Sequence, residues 1–171
     1  MQWIGNIYDE DGKIIIEINN GSDKGKEYYF NGNLKYDGEY LNGKRSGNGK
    51  EYYRNGKLKY EGEYQNDVRN GNEKEYYLNG KLKFEGEYKN QDRNGRGKEY
   101  YQNSKLRFDG EYIYDFKLKG KEYINDKLEF EGEYLYDRKW NGKGYDENGN
   151  IIYELNNGNG TGKEYNEDPK L

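Results

Sequence analysis

The chain has 171 residues, with 25 Gly, 22 Tyr, one Pro and no Cys, His or Ala. Without His or Cys there is no Ser-His or Cys-His nucleophile pair and no ordinary zinc site, which excludes the common hydrolase chemistries. The 29 basic and 33 acidic residues leave a net charge of −4, which argues against nucleic acid and anionic lipid as main partners.

Met1-Gln2-Trp3-Ile4-Gly5 carries neither a basic nor an apolar leader region, so a cytoplasmic protein is expected. The longest aliphatic run, Ile14-Ile15-Ile16, is far short of the roughly 20 residues that cross a bilayer. Leu, Ile, Val and Phe total only 27, so a folded core has to be built from tyrosine, whose ring supplies the apolar surface that aliphatics do not. Asp9-Glu10-Asp11-Gly12 reads as a turn, since the remaining ligands of a calcium loop are missing.

The rest of the chain is dominated by an internal repeat. A Tyr/Phe-x-Gly-Glu-Tyr motif begins at Tyr36, Tyr60, Phe84, Phe108 and Phe130, at spacings of 24, 24, 24 and 22. A second anchor, Lys-Glu-Tyr, begins at Lys26, Lys50, Lys74, Lys98 and Lys121, with a last copy at Lys163. The whole chain, 1–171, is therefore one array: a degenerate cap unit 1–24, core repeats 25–141 and a second degenerate cap unit 142–171. Trp3 and Trp140, near opposite ends, read as cap residues.

Each unit reads as a β-hairpin, because alternating aromatic and polar runs flank Asn31-Gly32, Asn55-Gly56 and Asn79-Gly80, the dipeptide of a two-residue type I′ turn. That turn pairs Tyr53 with Leu58, Tyr52 with Lys59, Glu51 with Tyr60 and Lys50 with Glu61. It places Tyr53, Leu58, Tyr60, Gly62 and Tyr64 on one face, and Lys50, Lys59, Glu61 and Glu63 on the other, where cross-strand ion pairs form. In the fifth unit a three-residue turn, Asn125-Asp126-Lys127, keeps Lys121 opposite Glu131. Loops such as Asn42-Gly43-Lys44-Arg45-Ser46-Gly47-Asn48-Gly49 join the hairpins. Seven hairpins and a strand around Lys163-Glu164-Tyr165 make about 15 strands. The expected fold is all-β: an elongated, single-layer, twisted antiparallel sheet of stacked hairpins. The motif glycine leaves room for a ring from a neighbouring strand.

The same register sends Glu27, Glu51, Glu75, Glu99 and Glu122 to the aromatic face, where tyrosine hydroxyls are the expected partners. Glu61 with Glu63 and Glu85 with Glu87 resemble a glycosidase pair, but they recur in every unit, whereas an active site needs one pair in a distinct environment. Gly47-Asn48-Gly49-Lys50 and Gly95-Arg96-Gly97-Lys98 lack the Ser or Thr and the spacing of a phosphate loop, and read as a loop entering a strand.

These motifs resemble the MORN (membrane occupation and recognition nexus) repeats, whose units run Tyr-x-Gly-x-aromatic, Asn-Gly, Gly-x-Gly. Tyr36-Asp37-Gly38-Glu39-Tyr40, Asn42-Gly43 and Gly47-Asn48-Gly49 follow that order. Tyr replaces the usual Trp at the fifth motif position, and Asp67-Val68 and Gln91-Asp92 interrupt the Asn-Gly loop. The Lys-Glu-Tyr-Tyr and Asn-Gly-Lys-Leu wording is similar to a variant found in bacterial proteins, some labelled antitoxins. The resemblance implies curved single-layer sheets that act as scaffolds, dimerise or contact lipid headgroups, with no catalysis and no cofactor.

The expected function is a non-catalytic scaffold that binds a protein partner or itself. The rows Tyr36, Tyr60, Phe84, Phe108, Phe130 and Tyr40, Tyr64, Tyr88, Tyr112, Tyr134 form the expected contact, as an extended aromatic surface with no second layer to cover it. Two alternatives are peripheral binding to anionic membrane through Lys44-Arg45, Arg69, Arg93, Arg96 and Arg138-Lys139, and an antitoxin-like, carbohydrate-binding or small-ligand module. Membrane binding is expected to be weak, because each loop holds fewer than the four to eight charges that read as lipid binding. The residues identify no nucleic acid, metal or small-molecule substrate.

Overall fold

The computed structural model describes residues 5–8, 12–18 and 24–162, and every regular element among them is a β-strand. The chain divides into two compact units, Met1–Gln91 and Asp92–Leu171. The first holds β1 (Gly5–Tyr8), β2 (Ile14–Ile18), β3 (Lys24–Tyr28), β4 (Leu34–Leu41), β5 (Lys44–Tyr52), β6 (Leu58–Gln65), β7 (Val68–Tyr76) and β8 (Leu82–Lys89). The second holds β9 (Asp92–Tyr100), β10 (Leu106–Ile113), β11 (Phe116–Ile124), β12 (Lys127–Leu135), β13 (Arg138–Tyr145), β14 (Ile151–Asn156) and β15 (Asn159–Gly162). Within each unit, consecutive strands pair antiparallel in chain order. The expected strand around Lys163 and the cap residue Trp3 lie outside the described residues, as do Asp9, Glu10 and Asp11.

The register is as expected at its centre: Lys50 faces Glu61 and Glu51 faces Tyr60, and Lys121 faces Glu131. Next to the turns it differs, with Tyr52 rather than Tyr53 opposite Leu58, across a bulge after Glu51. Asn55-Gly56 is not a type I′ turn. Gly56 N–H donates to the Tyr53 carbonyl at 2.9 Å and Tyr53 N–H to the Lys57 carbonyl at 2.8 Å, closing a three-residue loop in which only Gly56 has positive φ, +82°. The cause is Asn55: its side-chain oxygen accepts the Lys57 N–H at 3.1 Å, which holds the asparagine out of the left-handed region, so the glycine alone supplies it. Asn31, Asn79 and Asn103 accept the same bond, from Asn33, Lys81 and Lys105.

Turns with positive φ at both residues occur elsewhere: Asn42-Gly43, Asn66-Asp67, Asn90-Gln91, Tyr114-Asp115, Asn125-Asp126, Tyr136-Asp137 and Asn157-Gly158. The segment Lys44 to Gly49, expected as a loop, is therefore the start of β5, and the Gly-Lys sequences that resemble phosphate loops lie inside strands. In the shortened fifth unit Ile124 faces Lys127, so the turn is Asn125-Asp126 with two residues instead of three. Deleting one residue converts the three-residue loop into a type I′ turn, and a bulge after Glu122 restores the faces.

The motif glycines sit under rings, though the ring comes from the same strand. Tyr36 lies across Gly38 and its cross-strand partner Gly49, and a Cβ on Gly49 would collide with the Tyr36 hydroxyl. Phe108 covers Gly110 and Gly120 in the same way, and Phe130 covers Gly132 and Gly142. The core is thus a layer of rings packed on paired glycines, except at Tyr60 and Phe84 in the first unit, whose motif glycines Gly62 and Gly86 both pair with Glu73.

Candidate interaction surface

The two aromatic rows are built by the period-two alternation of β4, β6, β8, β10 and β12. Tyr36, Tyr60, Phe84, Phe108 and Phe130 are 0 % exposed, and Tyr64, Tyr88, Tyr112 and Tyr134 are 3 to 5 % exposed. Successive rings meet edge to face, as in Tyr36–Tyr64 at 5.4 Å, Tyr60–Tyr64 at 5.3 Å and Phe108–Tyr134 at 5.6 Å between centroids, the preferred geometry for such pairs. Nine of the ten residues expected to form an open contact surface are therefore the interior of the protein, and only Tyr40 is partly exposed. The expected contact through these rows is corrected: no free aromatic face remains there to dock a partner.

What covers the rings is a layer of salt bridges. Arg45 donates to Glu27 and to Glu51, both at 2.7 Å, and Arg69 donates to Glu51 and to Glu75, both at 3.0 Å. Lys35, Lys59 and Lys83 close on the same carboxylates at 3.0, 3.4 and 3.4 Å. In the second unit Arg93 bonds Glu99, Lys117 reaches Glu122 at 2.8 Å, and Lys139 reaches Glu122 at 3.4 Å and Glu129 at 2.8 Å. The cations also lie over rings: Arg45 is 4.2 Å from the Tyr36 centroid, Arg69 4.1 Å from Tyr60 and Lys117 4.6 Å from Phe108. The partners of these glutamates are thus chiefly Arg and Lys rather than tyrosine hydroxyls, although Tyr40 does donate to Glu27 at 2.8 Å. A sequence signal for the cations existed, since Arg45, Arg69, Arg93, Lys117 and Lys139 keep the same period as the glutamates.

Electrostatics follow from this layer. Burial pushes the Glu27 carboxyl up, but Arg45, Lys35 and Tyr40 outweigh it and hold the group at about 2. Glu51 and Glu122 are lowered against the same burial, by Arg69 and Lys59 and by Lys117 and Lys139 respectively. Glu73 goes the other way. It occupies the position that holds Gly25, Gly49, Gly97 and Gly120 elsewhere, is 3 % exposed, and neither carboxylate oxygen makes a hydrogen bond. Tyr60 beside it gives its hydroxyl proton to the Glu63 carbonyl at 3.2 Å. Burial pushes the Glu73 carboxyl up to about 8, with Glu75 and Glu51 adding to it against Tyr60 and Arg69.

The opposite face carries the carboxylate pairs. Lys50 meets Glu61 at 3.5 Å, Lys121 meets Glu131 at 3.3 Å and Lys119 meets Glu111 at 3.4 Å. An open groove of about 630 Å³ in the second unit runs over Gly110, Gly120 and Gly132, where Arg96, Lys119 and Lys121 stand among Asp109, Glu111, Glu131 and Glu133. Of the basic loop residues, Arg45, Arg69 and Arg93 are only 15 to 20 % exposed at the side chain and are turned onto the rings. Exposed apolar side chains gather at the turns, including Phe30 and Leu78 in the first unit and Ile113, Tyr114, Phe116, Leu118, Leu135 and Tyr136 in the second.

The family described as MORN repeat variant matches residues 24–42, 45–66, 69–90, 93–114 and 141–156. No curated protein matches the chain.

Proposed function

The chain belongs to the MORN repeat variant family, and we propose that it is a non-catalytic scaffold that holds a protein partner or a second copy of itself. The observation that carries this reading is the commitment of its functional groups: the glutamates and arginines that recur with the repeat bind one another over the rings, while apolar side chains stand exposed at the hairpin turns. Groups already paired in every unit build a platform rather than one reacting centre, and clustered exposed apolar residues mark contact surfaces. The anionic-membrane alternative is the weaker one, because three of its arginines serve the interior and the remaining loop charges are too few.

Sedimentation velocity of the purified chain across the micromolar range, beside cosedimentation with anionic vesicles at physiological salt, tests the reading. Reversible assembly with weak vesicle binding is expected. A chain that stays monomeric and sediments firmly with the vesicles overturns it.

A further inference from the structure

Two neighbouring hairpin tips of the second unit break the local rule that the other tips obey. A type I′ turn places its first residue in the left-handed region, and Asn fills that position at Asn42, Asn66, Asn90, Asn125 and Asn157, with φ of 51° to 53°. Asparagine suits it because its short side chain tolerates that conformation, whereas a bulky ring does not. At Tyr114 and Tyr136 a tyrosine takes the same conformation, with φ of 50° and 51°. Both rings are then exposed to solvent, by 67 % and 72 %. In both turns the backbone takes a conformation that a bulky ring disfavours, and in both the ring stands in solvent rather than in the core.

The residues around the two turns continue the departure. Ile113 and Phe116 flank the first turn where Gln65 and Val68 flank its counterpart, and Leu135 precedes the second. Phe116 and Tyr136 pack edge to face at 5.6 Å, and Asp137 Oδ1 accepts the Lys117 N–H at 2.8 Å, so the two tips form one continuous apolar ridge. Phe116, Leu118, Leu135 and Tyr136 also fall in the stretch between residues 114 and 141 that the family pattern leaves unmatched.

We infer that this ridge is a homotypic docking surface, occupied by the same ridge of a second copy of the chain; the inference deepens the scaffold reading and rests on it. Area decides the occupant first. The exposed parts of Tyr114, Tyr136, Phe116, Ile113, Leu118 and Leu135 amount to about 600 Å² per copy, so two ridges that bury one another completely reach roughly 1,200 Å², the lower end of a specific interface. Charge agrees, because Asp137 and the exposed Arg138 stand side by side at one tip. In a two-fold contact the acid of one copy faces the base of the other, so the chain's net −4 does not oppose the contact.

The test is sedimentation velocity on the full chain and on the double variant Tyr114→Asn/Tyr136→Asn. This variant restores the residue that the other turns carry, so it raises the melting temperature of the monomer rather than unfolding it. The parent chain is expected to form a reversible dimer whose dissociation constant rises at least about tenfold in the variant. Phe30→Asn, which removes an exposed ring at a turn of the first unit, leaves the dimer unchanged. A dimer that survives intact in Tyr114→Asn/Tyr136→Asn, or that Phe30→Asn weakens equally, overturns the ridge assignment and leaves the scaffold reading standing. A parent chain that is monomeric at every concentration, whether or not it captures another protein or a vesicle, overturns the ridge contact together with the self-association half of that reading.

Discussion

Arg69 bonds Glu51 at 3.0 Å from a different hairpin, the cation having left the loop where the sequence places it to lie on the aromatic layer. The bond ties β7 to β5 across the intervening β6, and Arg69 also holds Glu75 at 3.0 Å on its own strand. One guanidinium thereby compensates two partly buried carboxylates, a task for which its planar fork suits it better than an ammonium.

Arg69→Met should therefore cost on the order of 1 to 2 kcal/mol, because it removes the cation that Glu51 and Glu75 share, leaving Glu51 to Arg45 and Lys59 and Glu75 to Lys83, while preserving the side chain's apolar bulk. Arg54→Met, at an exposed turn position, should stay within about 0.5 kcal/mol. Urea unfolding of both variants checks this; equal effects would show that the layer contributes no more than exposed ion pairs do.

The strand order and the central pairs such as Lys50–Glu61 were legible because strand alternation and a 24-residue repeat leave one consistent register; Lys59, expected on the charged face, instead joins Glu51 in the layer over the rings, because the bulge after Glu51 leaves it unpaired. The turn chemistry was not. Asn-Gly specifies a type I′ turn only when the asparagine is free to enter the left-handed region, and the Asn55 bond to Lys57 is visible only in three dimensions. The fate of the aromatic rows was hidden for a related reason. Period-two alternation says that Tyr60 and Tyr64 share a face, but not that Arg69, at a turn in the sequence, folds back to cover that face. Glu73 at a glycine position was readable by aligning the units, yet its burial depends on the rings around it.

Gly120→Ala tests the packing of rings on paired glycines. An added Cβ would stand 2.6 Å from both the Asp109 carbonyl and Phe108 Cζ and 2.7 Å from the Gly110 Cα, and backbone cannot yield as the end of a flexible side chain does. A loss on the order of 1 to 3 kcal/mol is expected, against near neutrality for the exposed Lys119→Ala. A neutral Gly120→Ala would mean that Phe108 does not press on this strand pair.

Ser104→Gly should stabilise. Ser104 closes its loop as Gly56 and Gly80 close theirs, with its N–H donating to the Tyr101 carbonyl at 2.8 Å, but at φ +72° with a side chain attached. Glycine removes the Cβ strain and gives up some of that gain to unfolded-state entropy, for a net stabilisation of about 0.5 kcal/mol. Thermal unfolding reads it as a small rise in melting temperature, and a fall would place Ser104 outside the left-handed region.

Glu73 should make the protein lose stability as pH rises, opposite in sign to Glu27. Glu27, held at about 2 against an ordinary 4.5, contributes stability above pH 4.5 that disappears as pH falls toward 2. For Glu73 the folded value is about 8 and the ordinary value 4.5. Between those values the unfolded chain releases the proton while the folded chain keeps it, so the folded state weakens from pH 4.5 to 8 and then levels off. Over the full interval the total is on the order of 5 kcal/mol. Glu73→Gln keeps the shape and cannot ionise, so the stability difference between variant and parent should be smallest near pH 4 and grow in the variant's favour toward pH 8. Chemical unfolding at half-unit pH intervals measures that difference curve directly. A curve that is flat with pH would show that Glu73 reaches water or a cation in the folded chain, and that its place under Tyr60 is not closed to solvent.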